Sequence, residues 1–61
     1  ALIDRTGSVT QEINHFENTG RVKIDGDDWK ASTKNNEIIK VGTTIKVVAI
    51  ESIILFVKPL K

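Results

Sequence analysis

The 61-residue chain contains no cysteine. This absence excludes disulfide bridges, zinc sites built on thiolates and a cysteine nucleophile. The chain also lacks an excess of charge of one sign, because nine Lys and Arg residues stand against eight Asp and Glu, for a formal net charge of +1. Proteins dedicated to binding polyanions usually carry a clear basic excess, so the composition argues against that class.

No hydrophobic run is long enough to span a bilayer. The apolar stretch at residues 47–57 is interrupted by Glu51 and Ser52 and falls well short of the roughly 20 residues of a membrane helix. The sequence contains no signal peptide pattern. Because the chain begins at Ala1 rather than Met, we expect residues 1–61 to form a single domain of a longer protein, with any membrane segment elsewhere in it.

Catalytic groups are scarce as well. Nucleophilic catalysis needs a Ser, Cys or Thr paired with a base, usually a His held by a third group. The single histidine, His15, lies in a polar segment, and no serine lies in a glycine-rich nucleophile turn. The Asp residues at 25, 27 and 28 lack the spacing and terminal Glu of a calcium loop, and a hairpin turn accounts for them. We therefore expect no enzymatic activity, no cofactor and no metal site.

Turn signals divide the chain into segments of strand length. The predicted strands cover residues 6–13, 21–25 and 29–33 and the two halves of a hairpin at residues 44–57. Gly7 suggests a bulge or bend near the start of the first strand. Residues 37–41 are either a short extended piece or one helical turn, and the sequence does not decide between them. Five short strands predict an all-β domain with little or no helix.

A flat sheet of five short strands would expose its hydrophobic face and both of its edges. Closure into a small barrel removes the edges and encloses one set of side chains, so we predict a small five-stranded β-barrel. Alternation of apolar and polar residues gives a predicted core of Val22, Ile24, Trp29, Ala31, Ile45, Val47, Leu55 and Val57. The same alternation places Ile53 on the inner side.

The hairpin at residues 44–57 is apolar on both of its faces. Its predicted second face carries Val48, Ile50, Ile54 and Phe56. Strands that bend around a barrel corner bury part of both faces, so the fold itself can enclose these side chains. Alternatively, the four residues form a patch of a few hundred Å², which is large enough to mark a binding site. We treat them as the candidate partner-binding residues.

A second candidate surface is the outward face of the second and third strands, which carries Arg21, Lys23 and Lys30. Many OB-type barrels bind single-stranded nucleic acid on the corresponding face. Such binding also needs aromatic rings on which bases stack, and the chain contains only one Trp and two Phe. Single-stranded nucleic-acid binding is therefore the alternative function.

Four segments of the sequence together resemble the soluble C-terminal domain of NfeD proteins. They are Gly20-Arg21-Val22-Lys23-Ile24-Asp25-Gly26, Trp29-x-Ala31, Ile39-x-x-Gly42-x-x-Ile45-x-Val47-Val48-x-Ile50 and Leu55-x-Val57-x-Pro59. Two positions depart from the family pattern. Asn18-Thr19-Gly20 stands where the family usually has Pro-Ser-Gly, and Ser52 stands where it usually has Gly.

The resemblance implies an OB-like five-stranded barrel that follows transmembrane helices in a membrane-associated parent protein, with this domain in the aqueous phase. It also implies a stomatin- or flotillin-like membrane protein as the partner. The ClpP-like serine protease domain of long family members is not found in residues 1–61. We therefore expect a non-catalytic interaction and scaffold domain. A structural cap for the membrane part of the parent is an alternative that the sequence does not separate from it.

Overall fold

The structure, a computed structural model, describes residues 2–60, and none of these residues is helical. Its six strands are β1 (Thr6–Asn14), β2 (Thr19–Ile24), β3 (Asp27–Ser32), β4 (Ile38–Ile39), β5 (Thr44–Glu51) and β6 (Ile54–Pro59). The range 2–60 accordingly contains no helix able to cross a membrane.

Five of the strands close into a barrel. β1 pairs with β2, β2 with β3, β6 with β5 and β5 with β1, and all four pairings are antiparallel. A parallel pairing of β3 with β6 completes the ring. The short strand β4 pairs with the end of β1 at Ile13 and Asn14, so residues 37–41 contain an extended piece rather than a helical turn. The predicted OB-like five-stranded barrel is thereby confirmed.

All six strands contribute side chains to one core. The buried apolar residues are Val9, Ile13, Val22, Ile24, Ala31, Ile39, Ile45, Val47, Leu55 and Val57. Seven of the eight predicted core residues are among them. The eighth, Trp29, is only partly buried and packs against the edge of this core. It precedes Lys30, the first residue of β3 that pairs with β6, so the ring covers only part of its side chain.

The prediction that Ile53 faces the core is wrong. Its side chain is 73% exposed, because Ser52 and Ile53 form the two-residue turn between β5 and β6. Ser52 has a φ of 57°, a left-handed conformation that suits the Gly usual at this position in the family. The alternation of inward and outward side chains does not extend through such a turn.

The strands β1 and β2 approach each other closely at Gly7. A Cβ atom on this residue would meet the backbone oxygen of Lys23, so only a glycine fits. The irregularities of β1 lie further along, between Val9 and Gln11 and between Gln11 and Asn14. The bulge or bend predicted at Gly7 therefore lies after Val9 instead. The glycine at position 7 allows the two strands to pack closely.

Candidate functional site

A bulge in β5 decides which of the candidate side chains share a face. Val47 lies opposite Val57 on β6, but Ala49 lies opposite Phe56, so β5 contains one extra residue, Val48. Residues directly opposite each other in an antiparallel pair project from the same face of the sheet. The alternation of β5 is consequently reversed beyond Val48.

This reversal separates the four candidate residues. Ile50 lies opposite Leu55, whose side chain is fully buried, so Ile50 projects from the inner side of the sheet, although 42% of its surface is exposed. Ile54 and Phe56 are half-buried on the outer side, and Val48 in the bulge is 40% exposed. All four residues were predicted to share one face. In the structure, Val48, Ile54 and Phe56 share the outer face, and Ile50 does not.

We call the outer surface formed by Val48, Ala49, Ile54 and Phe56 the hairpin face. Lys34, in the loop after β3, extends across it. Its Nζ atom lies 4.6 Å from the centroid of the Phe56 ring and 2.5 Å from Oε2 of Glu51. Because both charged side chains are more than half exposed (53% and 59%), this ion pair contributes only about 0–1 kcal/mol to stability.

Three further lysines lie around the hairpin face. Lys30 is the neighbour of Ile54 in the parallel pairing of β3 with β6. Lys46 and Lys58 lie directly opposite each other on β5 and β6. Lys58 is two residues after Phe56 and therefore projects from the same outer side of β6. The Nζ atom of Lys46 is 3.6 Å from Oδ1 of Asp4. The surface thus has an apolar centre and four lysines at its rim, with the carboxylates of Glu51 and Asp4 beside two of them.

The predicted basic face of β2 and β3 carries a carboxylate among its cations. Arg21 lies opposite Lys30, and Lys23 opposite Asp28, so the three basic residues do share a face. Asp28 Oδ2 accepts a 2.7 Å hydrogen bond from Arg21 Nε, which holds the pKa of Asp28 below its ordinary value. The carboxylate therefore stays charged at neutral pH and offsets part of the basic potential.

The other features needed for nucleic-acid binding or catalysis are not assembled on this surface. The outward residues of β2 and β3 include no aromatic ring, and Trp29 packs against the core. His15 is exposed in the turn after β1, with its ring 5.8 Å from that of Phe16. Within residues 2–60, no three His, Asp or Glu side chains are grouped closely enough to hold a metal ion.

Comparison with known proteins agrees with this architecture. The family model of the NfeD-like C-terminal, partner-binding domain matches residues 1–59. The C-terminal domain of stomatin operon partner protein 1510-C from Pyrococcus horikoshii is 30% identical and superposes with a TM-score of 0.85, over 98% of this chain and 89% of that chain. No curated protein sequence gives a significant match.

Two further solved structures are similar. The soluble domain of the NfeD protein YuaF from Bacillus subtilis is 30% identical, with a TM-score of 0.76 over 93% of this chain and 71% of that chain. The soluble domain of a membrane protein implicated in regulation of membrane protease activity, from Corynebacterium glutamicum, has a TM-score of 0.88 over 98% of this chain and 94% of that chain. At 20% identity, this second likeness shows the fold alone.

The family match includes every strand of the barrel, and it confirms the resemblance found in the sequence. On that coverage, the chain belongs to the NfeD family, as an NfeD-like C-terminal, partner-binding domain.

Proposed function

We propose that this domain is a non-catalytic interaction module of a membrane-anchored protein and that it binds a stomatin- or flotillin-like membrane protein through the hairpin face. The family is described as partner-binding, and one similar structure comes from a stomatin operon partner protein. The NfeD protein YuaF, 30% identical, was likewise solved as a soluble domain, which supports the membrane-anchored parent.

The observation that carries the proposal is the position of the hairpin face in the barrel. β6 has a paired strand on each side at residues 54–56, so a partner meets side chains there rather than a free backbone edge, whereas β5 pairs with β1 only at residues 44–46. The core is already enclosed by the inward residues, yet Val48 is 40% exposed and Ile54 and Phe56 are half-buried. Covering such apolar surface contributes roughly 25 cal/mol per Å² to association, and contiguous apolar patches mark interaction sites.

The test replaces aliphatic side chains that are exposed or half-buried by serine, on and off the hairpin face. The variants Val48→Ser and Ile54→Ser change the face, and Val41→Ser and Ile38→Ser are their matched controls. Val41 and Ile38 are 62% and 51% exposed and lie in the turn before β5 and in β4. Affinity for the purified stomatin-like protein of the source organism is measured by calorimetry.

We expect each hairpin variant to weaken binding about tenfold, which corresponds to about 1.4 kcal/mol, and the controls to bind like the wild type. Far-UV circular dichroism should be unchanged in all four variants. Equal affinities in the two groups would contradict the proposal. So would unfolding of the Ile54 variant, because that result would place the side chain in the core.

The same domain can be titrated with a single-stranded oligonucleotide to examine the alternative function. Nucleic-acid binding through Arg21, Lys23 and Lys30 would shift the backbone amide signals of these residues, and the shifts would diminish steeply with salt. We expect no such shifts, because Asp28 is paired with Arg21 on this face. Salt-dependent shifts there, without binding of the stomatin-like protein, would favour the nucleic-acid function.

A further inference from the structure

We propose that the partner segment bound by the hairpin face is acidic and that Lys46 and Lys58 recognise its carboxylates. This inference rests on the proposed function and adds the chemistry of the partner. It predicts a segment with apolar side chains that cover Ile54 and Phe56 and with Asp or Glu side chains at the flank.

The first argument is the position of the two lysines. Lys46 and Lys58 are cross-strand partners on β5 and β6, and side chains directly opposite each other in an antiparallel pair have Cβ atoms about 4.5–5.5 Å apart. Like charges in this arrangement are destabilising. Neither lysine belongs to the core, so the packing of the barrel does not require the pair. A carboxylate supplied by a partner would interact favourably with both ammonium groups.

The second argument is that the domain itself does little to compensate these charges. Among residues 2–60, no carboxylate lies within ion-pair distance of Lys58. Lys46 has only Asp4 at 3.6 Å, and the Asp4 side chain is 76% exposed. Lys30 on the same surface donates its Nζ hydrogen bond to a backbone carbonyl, that of Asn18.

Two arginines elsewhere in the barrel have carboxylate partners within the domain. Arg5 lies 2.6 Å from Asp25, and Arg21 lies 2.7 Å from Asp28. The chain as a whole has a net charge of only +1. Lys30 and Lys58, which have no ion-pair partner among residues 2–60, therefore lie beside the apolar side chains of the hairpin face. Complementary charges on two binding surfaces speed encounter and fix the register of the complex.

An anionic bilayer is the other surface that could match apolar and basic groups. The hairpin face is poorly suited to insertion into lipid, because Ile54 and Phe56 are half-buried and the ammonium group of Lys34 lies over the Phe56 ring. An extended acidic segment can cover such a shallow surface without displacing Lys34. The geometry therefore favours a protein partner.

The test reverses the charge of one lysine and follows stability and binding together. Lys58→Glu converts the cross-strand pair into one of opposite charge, and Lys40→Glu, at an exposed residue outside the strands, is the matched control. We expect Lys58→Glu to raise the Tm of the isolated domain by roughly 1–5 °C and to weaken binding of the stomatin-like protein at least tenfold. Lys40→Glu should leave the affinity within about twofold of the wild type, since long-range charges are screened.

If Lys58→Glu is more stable than the wild type and binds less well, unfolding cannot explain its loss of affinity. If Lys58→Glu binds like the wild type while Ile54→Ser does not, the proposed function stands and the acidic partner is overturned. If the wild-type domain does not bind the stomatin-like protein, the proposed function fails for that partner. The inference is then decided with peptides that alternate leucine with glutamate, with serine or with lysine.

With these peptides, shifts of the Lys46 and Lys58 amide signals by the leucine–glutamate peptide alone support the inference. Equal shifts by the leucine–serine peptide, or none by the leucine–glutamate peptide, overturn it. Phosphatidylserine vesicles serve as the last probe. Suppose that the vesicles bind the wild-type domain but not the Lys58→Glu variant, and that no peptide binds. The hairpin face then binds a membrane surface, and the acidic partner segment is overturned.

Discussion

Asp28 is held in its charged form by the side chains around it. Arg21 Nε donates a 2.7 Å hydrogen bond to Oδ2, and Thr10 Oγ1 donates a 3.1 Å hydrogen bond to Oδ1. The hydrogen bond from Arg21 is the largest influence and lowers the pKa of Asp28; partial desolvation raises it, and Thr10 and the positive charges of Arg21 and Lys23 lower it further. Three segments of the barrel, in β1, β2 and β3, thus meet at one carboxylate.

The pKa of Asp28 can be measured by NMR titration of its side-chain carboxyl carbon. We expect a value below the ordinary Asp value of about 3.9 and expect Arg21→Gln to raise it more than Lys23→Gln does. Because the folded pKa is lowered, the stabilisation by this group is complete above the pKa of the unfolded chain and is lost as the pH falls through the folded pKa. A titration of Asp28 that Arg21→Gln does not change would show that the hydrogen bond is not the cause.

At single positions, alternation predicts burial well where a strand has paired neighbours along its length. Val22 and Ile24 of β2 are fully buried as predicted. Trp29 precedes the part of β3 that pairs with β6, so its exposure depends on a neighbouring strand, whereas Ile50 changes side because of the bulge at Val48. The sequence of a strand contains no information on where its neighbour stops, and this is why the partial exposure of Trp29 could not be predicted.

At the level of the strands, the contact between β1 and β2 depends on Gly7. A Cβ atom at this position would clash with the Lys23 carbonyl oxygen, which is part of the backbone. Gly26, in contrast, has a φ of 87° and open space around its Cβ position. The two glycines are required for different reasons, one for space and the other for backbone conformation.

Alanine substitutions separate these two reasons. We expect Gly7→Ala to destabilise the domain by about 3 kcal/mol, at the upper end of the overpacking range, because a backbone oxygen in the sheet cannot move aside. Gly26→Ala should cost only about 1–2 kcal/mol, the penalty of a left-handed conformation for an L-residue. Urea unfolding of both variants gives the two values. If Gly7→Ala lowered the free energy of unfolding by no more than Gly26→Ala does, β1 and β2 would be able to separate slightly with no additional loss of stability.

The turns of the chain were more predictable than its bulge. Asp25 and Gly26 form the two-residue turn between β2 and β3, with φ values of 51° and 87°, and Asp-Gly is a strong sequence signal for such a turn. The bulge at Val48 has no comparable signal, because no Gly or Pro interrupts the apolar run from Val47 to Ile50. The composition of the hairpin face could therefore be predicted only in part.

At the scale of the whole molecule, the ring is closed by strands that are distant in sequence. β1 pairs with β5, and β3 pairs with β6. No local pattern encodes these pairings, and the sequence pointed to closure only through the number of short amphipathic strands and the family resemblance. The proposed interaction surface follows from the closure, because the closure places the outer sides of β3, β5 and β6 next to one another.

This closure predicts that the domain unfolds in a single step. Every strand supplies at least one buried residue to the same core, so losing one strand exposes the side chains of its neighbours, and small single domains usually unfold cooperatively for this reason. The single tryptophan, Trp29, packs against the end of this core and reports on it by fluorescence. Urea transitions followed by Trp29 fluorescence and by far-UV circular dichroism should therefore have the same midpoint and slope. An earlier fluorescence transition would mean that the Trp29 end of the barrel opens separately, and the ring would then not act as one cooperative unit.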